Sequence, residues 1–203
     1  MLNTIEYRAY LDLSDVAPMV DSGSDDRTIF GRVIAYNSMS KPLRTMNGDM
    51  FNEVILPRSL DDSLSEEGND VLALMEHDGS KLLGRLSNKT LALENREDGL
   101  YAKIKVPNTS YGKDLIELAE RGDLKGFSFG FTNPVARNYK KDGMNVREIS
   151  KMNLREISVV SSPAYNETAL ALRSEDFAEQ QLGKSDKELQ TEFKFRFYSA
   201  THR

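Results

Sequence analysis

Two side chains in this 203-residue chain could together break an acyl bond, the hydroxyl of Ser128 and the imidazole of His77. Ser128 sits in Gly126–Phe131, which reads GFSFGF. On a strand, Phe127, Phe129 and Phe131 share one face while Ser128 and Gly130 share the other. Three large rings are thereby driven into a core, and a hydroxyl is left beside a position with no side chain. Such a glycine lets another backbone, for instance an extended substrate, come close. Taken alone, GFSFGF reads more simply as an ordinary strand with an outward serine.

A serine hydroxyl is a poor nucleophile at neutral pH and needs an adjacent base, for which histidine is suited by its pKa of about 6.5. The chain has only two histidines, His77 and His202. His77 ends the run VLALMEH, in which Val71, Ala73, Met75 and His77 are expected on one face, followed by a turn at Asp78-Gly79. An imidazole would then stand where an apolar face opens into a loop, a common place for a site on a rigid scaffold. The competing reading is a partly buried histidine bonded to backbone.

Composition narrows the chemistry. The chain has no cysteine, which removes disulfides, thiol catalysis and thiolate metal sites, and two histidines are too few for an imidazole-rich zinc site. A net charge of -5 gives no basic field for nucleic acid or anionic lipid. Glu6 and Arg8 interrupt the first ten residues, unlike a secretory signal, and no apolar run is long enough to cross a bilayer. The expectation is a cytoplasmic protein needing no metal and no cofactor, with neither nucleic acid nor membrane as partner.

The elements that must position these residues are mostly strands. Alternation predicts them over Ile5–Leu11, Thr28–Tyr36, Asn52–Leu56, Val71–His77, Lys89–Glu94, Leu100–Val106, Phe127–Thr132 and Leu154–Val160, with a tight turn at Asp98-Gly99. A helix is expected over about Thr109–Arg121, with Tyr111, Leu115, Leu118 and Ala119 on its stripe and Gly122 as a stop. A shorter helix after Arg58 would be capped through Ser59-x-x-Asp62, and another could begin at Asn166. The fold class expected is mainly β with flanking helices (α+β), the strands closing into a β-barrel. An N-terminal strand and acidic loop (1–27) would precede the main domain (28–172). A polar tail (173–203) would follow it, with Phe193, Phe195 and Phe197 alternating with basic residues.

The pattern G-x-S-x-G at Gly126–Gly130 invites an α/β-hydrolase esterase reading. In that fold the serine ends a strand and opens a helix, with the acid and then the histidine downstream. Here a helix precedes Ser128, a strand runs through it, and the only downstream histidine is His202. The context is the reverse of what an esterase needs.

Several further segments, in one order, resemble the prohead proteases of tailed bacteriophages. They are EVILP (Glu53–Pro57), MEHDG (Met75–Gly79), LGR (Leu83–Arg85), GLYAK (Gly99–Lys103), GFSFGF, and LREISVV-x-x-PA (Leu154–Ala164). The resemblance spans roughly Phe30 to Leu172. It implies a fold similar to the herpesvirus assemblins, a barrel with surrounding helices, and a serine endopeptidase whose histidine precedes its serine. Such enzymes work inside the immature capsid, cut scaffold segments and capsid-protein precursors, and commonly process themselves. The histidine of the family's H-D motif falls on His77 and the serine of its S-F-G-F motif on Ser128. A non-enzymatic capsid accessory or scaffold protein is the alternative, and a homo-oligomer is left open.

Assemblins use a second histidine as third member, and this chain has none suitably placed, so an acid must serve. Glu156 is expected on one strand face with Leu154, Ser158 and Val160, opposite Ile157 and Val159. A carboxylate in so apolar a strand needs a partner, and the His77 ring N–H would be one. Glu148, in the near-repeat REIS at 147–150, is the competitor. Glu76 and Asp78 flank His77 but would point to the other face. Oxyanion donors or substrate contacts are expected near the nucleophile, at Gly130, with Arg155 assisting.

Overall fold

Alternating apolar residues settle most of the chain into strands. The computed structural model describes residues 5–9, 19–20, 27–45 and 47–161. In chain order the elements are β1 (Glu6–Ala9), β2 (Met19–Val20), β3 (Thr28–Ala35), β4 (Leu43–Arg44), β5 (Met50–Ile55) and α1 (Asp61–Ser65). There follow β6 (Leu72–Met75), β7 (Asp78–Arg85), β8 (Leu91–Asn95), β9 (Gly99–Lys105), α2 (Ser110–Glu120), β10 (Gly126–Lys141) and β11 (Met144–Val160). The acidic loop at 21–26, the expected helix at Asn166, His202 and the tail from 173 lie outside the described residues.

The large sheet runs β1-β10-β11-β5-β4, and β6 joins it by pairing with β11 and β7. The smaller sheet runs β2-β3-β9-β8. Their facing sides form one core, to which Ile29, Ile34, Leu100 and Ile104 contribute from the small sheet and Phe127, Phe129, Phe131, Ile157 and Val159 from the large one. The three phenylalanines are fully buried, as their alternation requires. Gly31 on β3 makes room for one of them, since a Cβ there would lie 2.7 Å from the Phe127 ring. The chain is mainly β with few helices. Neither sheet closes on itself among the described residues, so the expected barrel closure is not seen there.

α2 matches its expectation. Thr109 caps it by accepting from the Gly112 amide at 3.2 Å, Leu115 is fully buried, and Gly122 ends it at φ +73°. The shorter helix forms without the expected cap: its N-cap is Leu60, which has no side-chain acceptor. β10 and β11 run well past their expected ends, to a left-handed turn at Asp142 and Gly143. β11 is long enough to serve two partners, β5 beside its first half and β6 beside its second, both parallel.

β1 is fastened differently from the other strands. It pairs with β10, and its Arg8 and Glu6 enter a quartet of alternating charge with Glu53 of β5 and Arg147 of β11, in which Arg8 and Glu53 are buried and Glu6 and Arg147 partly so. Arg8 bonds Glu53 at 2.8 Å and Glu6 at 2.7 Å, while Arg147 bonds Glu6 at 2.6 Å and Glu53 at 3.1 Å. Glu53 is wholly buried. Two positive and two negative charges cancel, which is what lets them be buried at all.

Burial alone would raise the Glu6 carboxyl, but the hydrogen bond from Arg147 and the charges of Arg8 and Arg147 outweigh it and hold the group below its ordinary 4.5. A carboxylate lowered in the folded state contributes stability that is full above its unfolded pKa and lost as pH falls through the folded value. Urea denaturation at neutral pH and at about pH 3 should therefore show a loss that is smaller in Glu6→Gln than in the wild type.

Candidate active site

The site is built on the side of the large sheet turned away from the core. In register across β1, β10, β11 and β6, one row holds Ala9, Ser128, Ser158 and Leu74, and the next holds Tyr7, Gly130, Glu156 and Leu72. Ser128 and Gly130 face the site because the phenylalanines between them face the core.

Glu156 reaches the same side through an irregularity. Phe131 pairs with Leu154 and Gly130 with Glu156, so Arg155 is an extra residue, a β-bulge. Its insertion turns Leu154 into the core with Ile157 and Val159, and leaves Glu156 and Ser158 on the site face. Strict alternation predicts Leu154 on the same face as Glu156; the bulge places it on the opposite, core face.

His77 arrives from a turn rather than from a strand face. Met75 pairs with Asp78, so Glu76 and His77 form the two-residue connection between β6 and β7, and the expected turn at Asp78-Gly79 is instead the start of β7. Both turn residues are left-handed, with φ of 53° and 57°. That geometry suits the twist of a hairpin but is normally supplied by Asn-Gly, and in other residues it costs about 1–2 kcal/mol each.

β11 holds the turn in place. The Glu76 amide donates to Val159 O at 3.0 Å, the His77 amide to Ser158 Oγ at 3.2 Å, and the Ser161 amide to Glu76 Oε1 at 2.6 Å. The imidazole Nδ1 lies 2.7 Å from Glu156 Oε1. Because a carboxylate can only accept, Nδ1 carries the proton and Nε2 is left as the basic nitrogen. The second oxygen of Glu156 accepts from Ser158 Oγ at 2.7 Å, so Ser158 links the Glu156 carboxylate to the His77 backbone. The ring also meets the Tyr7 ring edge-on, centroids 4.9 Å apart.

Ser128 is 1% exposed, and its hydroxyl donates to the Arg8 carbonyl at 3.0 Å. Gly130 lies against side chains of the N-terminal strand: a Cβ built on it would be 2.9 Å from the Tyr7 ring and 3.0 Å from Ile5 Cγ2. Arg155 spends its guanidinium on Thr132 at 3.1 Å and Asn69 at 3.4 Å. Glu148 pairs with Arg137 at 3.0 Å on the outer half of the hairpin. Glu76 serves Ser161, and Asp78 accepts from Ser80. The sequence marks Ser158 only as a neighbour of Glu156 on its strand face, because its roles as donor and acceptor depend on the turn that brings His77 to it.

Among the described residues no cluster of three or more His, Asp or Glu is placed to hold a metal ion, and no helix is long and apolar enough to cross a membrane.

A serine and an imidazole on one sheet face, the imidazole held through Nδ1 by a buried carboxylate, is an arrangement suited to acyl transfer by a serine hydrolase. The caudovirus prohead serine protease family matches residues 15–182, and the chain belongs to that family. It is a serine peptidase of phage capsid maturation. A search of curated proteins found no match. Among solved structures it is similar to the bacteriophage T4 capsid assembly protease gp21, with 13% identity, a TM-score of 0.45, and coverage of 77% of this chain and 95% of that one.

Removing the Ser158 hydroxyl should be costly for a small side chain. Ser158→Ala leaves a Glu156 oxygen and the His77 amide without this partner in a buried place, a loss of about 1–3 kcal/mol measurable by urea denaturation.

Proposed function

We propose that Ser128 is the nucleophile, His77 its general base and acid, and Glu156 the residue that orients and stabilises the imidazole. The 2.7 Å contact between His77 Nδ1 and Glu156 carries this reading, because it leaves Nε2 free to exchange a proton. Ser128 Oγ attacks the scissile carbonyl, and its proton passes to Nε2 as the new C–O bond forms. The C–N bond then breaks as Nε2 returns that proton to the leaving amine, and water hydrolyses the acyl-enzyme by the same route in reverse.

Main-chain amides near Gly130 are the proposed oxyanion donors, with Arg155 close behind them at the bulge. An esterase elbow has its serine at a strand-to-helix turn, whereas Ser128 stands within β10. The substrates we propose are capsid-protein precursors, scaffold segments and the enzyme itself, cut inside the assembling prohead in the host cytoplasm. The protease unit would span 28–172, followed by the tail from 173. Its assemblin-like barrel would correspond to the two sheets packed around one core rather than to a single hydrogen-bonded cylinder.

Ser128→Ala and His77→Ala should each reduce cleavage of a co-expressed capsid precursor by about 10⁴-fold or more, and the double variant should be no worse than either. Normal cleavage by folded Ser128→Ala protein would remove the assignment.

Glu156→Gln presents an amide to Nδ1 and favours the wrong tautomer, so kcat should fall by about 10²–10⁴. Glu148→Gln loses only an ion pair with an exposed arginine and should stay within about tenfold. If Glu148→Gln were the more damaging of two folded variants, the acid would be misassigned while Ser128 and His77 stood.

A further inference from the structure

A nucleophile that is 1% exposed cannot meet an external carbonyl, and what covers Ser128 is the chain's own N-terminal segment. β1 lies antiparallel along β10 with Ala9 opposite Ser128 and Tyr7 opposite Gly130. The Arg8 carbonyl takes the Ser128 hydrogen bond at 3.0 Å. The Tyr7 ring stands edge-on to His77 at 4.9 Å, and it and Ile5 fill the space that the absent Gly130 side chain leaves. An extended main chain beside the serine, a carbonyl at its hydroxyl and a side chain over the glycine are the contacts a bound peptide would make.

Resting on the reading of Ser128 as nucleophile, we propose that residues 5–9 occupy the substrate's place and shut the enzyme off until β1 leaves. The vacated edge of β10 then accepts an extended peptide in the same antiparallel register. Its scissile carbonyl replaces that of Arg8, and an aromatic residue immediately before it replaces Tyr7 against His77.

Exchange is feasible because of how β1 is held. It is a four-residue strand at the end of the sheet, paired along one side to β10. Its Glu6 and Arg8 are anchored by the charge quartet, and buried ion pairs recover little net free energy once the cost of dehydrating the charges is counted. β10 and β11, by contrast, carry the phenylalanine core and stay behind when β1 leaves.

The test is the rate at which a fluorophosphonate labels Ser128 in the full-length protein, read by mass spectrometry of the labelled peptide. Tyr7→Ala removes the ring over His77 without touching the quartet, and it should be labelled about tenfold faster than wild type. A synthetic peptide of residues 4–12, TIEYRAYLD, should slow labelling of that variant, whereas the same peptide with its first tyrosine replaced by alanine should not. Should Tyr7→Ala fail to fold, Ile5→Ala carries the same comparison. A folded variant labelled no faster than wild type, or a peptide that gives no protection, overturns the proposal. Labelling absent from wild type and from both folded variants overturns the nucleophile assignment and this proposal together.

Discussion

A carboxylate buried to 5% exposure has to have both oxygens answered, and the arrangement around Glu156 follows from that requirement. One oxygen is met by the His77 ring and the other by the Ser158 hydroxyl, which in turn accepts the His77 amide. Glu156, Ser158 and both the ring and the backbone of His77 are thus closed into a loop of three hydrogen bonds. The imidazole is fixed at both its ring and its main chain, which is how a site is kept preorganised rather than assembled on binding.

Much of this was legible in the sequence, and the reasons are particular. The three phenylalanines of GFSFGF declare their face by period alone, so the side on which Ser128 and Gly130 lie needed no structure. Glu156 could be picked out because a charge inside LREISVV has to be paired with something. What could not be read was geometry set by non-local pairing. The bulge at Arg155 depends on the register between β10 and β11, and it inverted the predicted face of Leu154 while leaving Glu156 where it was wanted. The turn at Glu76 and His77 carries none of the residues that announce a left-handed pair, and its neighbours Asp78-Gly79 do. The Asp142-Gly143 turn carried the signal, but the buried apolar residues that follow it on β11, Val146, Ile149 and Met152, are spaced by three rather than two, so no strand alternation marks them.

The two fastenings of the large sheet differ in kind. β10 and β11 are held by apolar burial, which tolerates changes of pH and weakens only with the loss of shape or volume. β1 is held by its short ladder to β10 and by a neutral quartet of charges, whose strength depends on ionisation and on water being kept out. The same sheet therefore combines a part held by apolar packing with a part held by a ladder and charges, and Ser128 lies at the boundary between them.

The left-handed pair at Glu76 and His77 has a consequence for how this fold can be improved. A glycine at Glu76 would adopt φ of 53° without the steric penalty a side chain meets there. It would also remove the carboxylate that accepts the Ser161 amide and soften the peptide that aims His77. At this one residue, relief of backbone strain and a firm hold on the imidazole are opposed, because the side chain that is strained is also the one that fastens the turn.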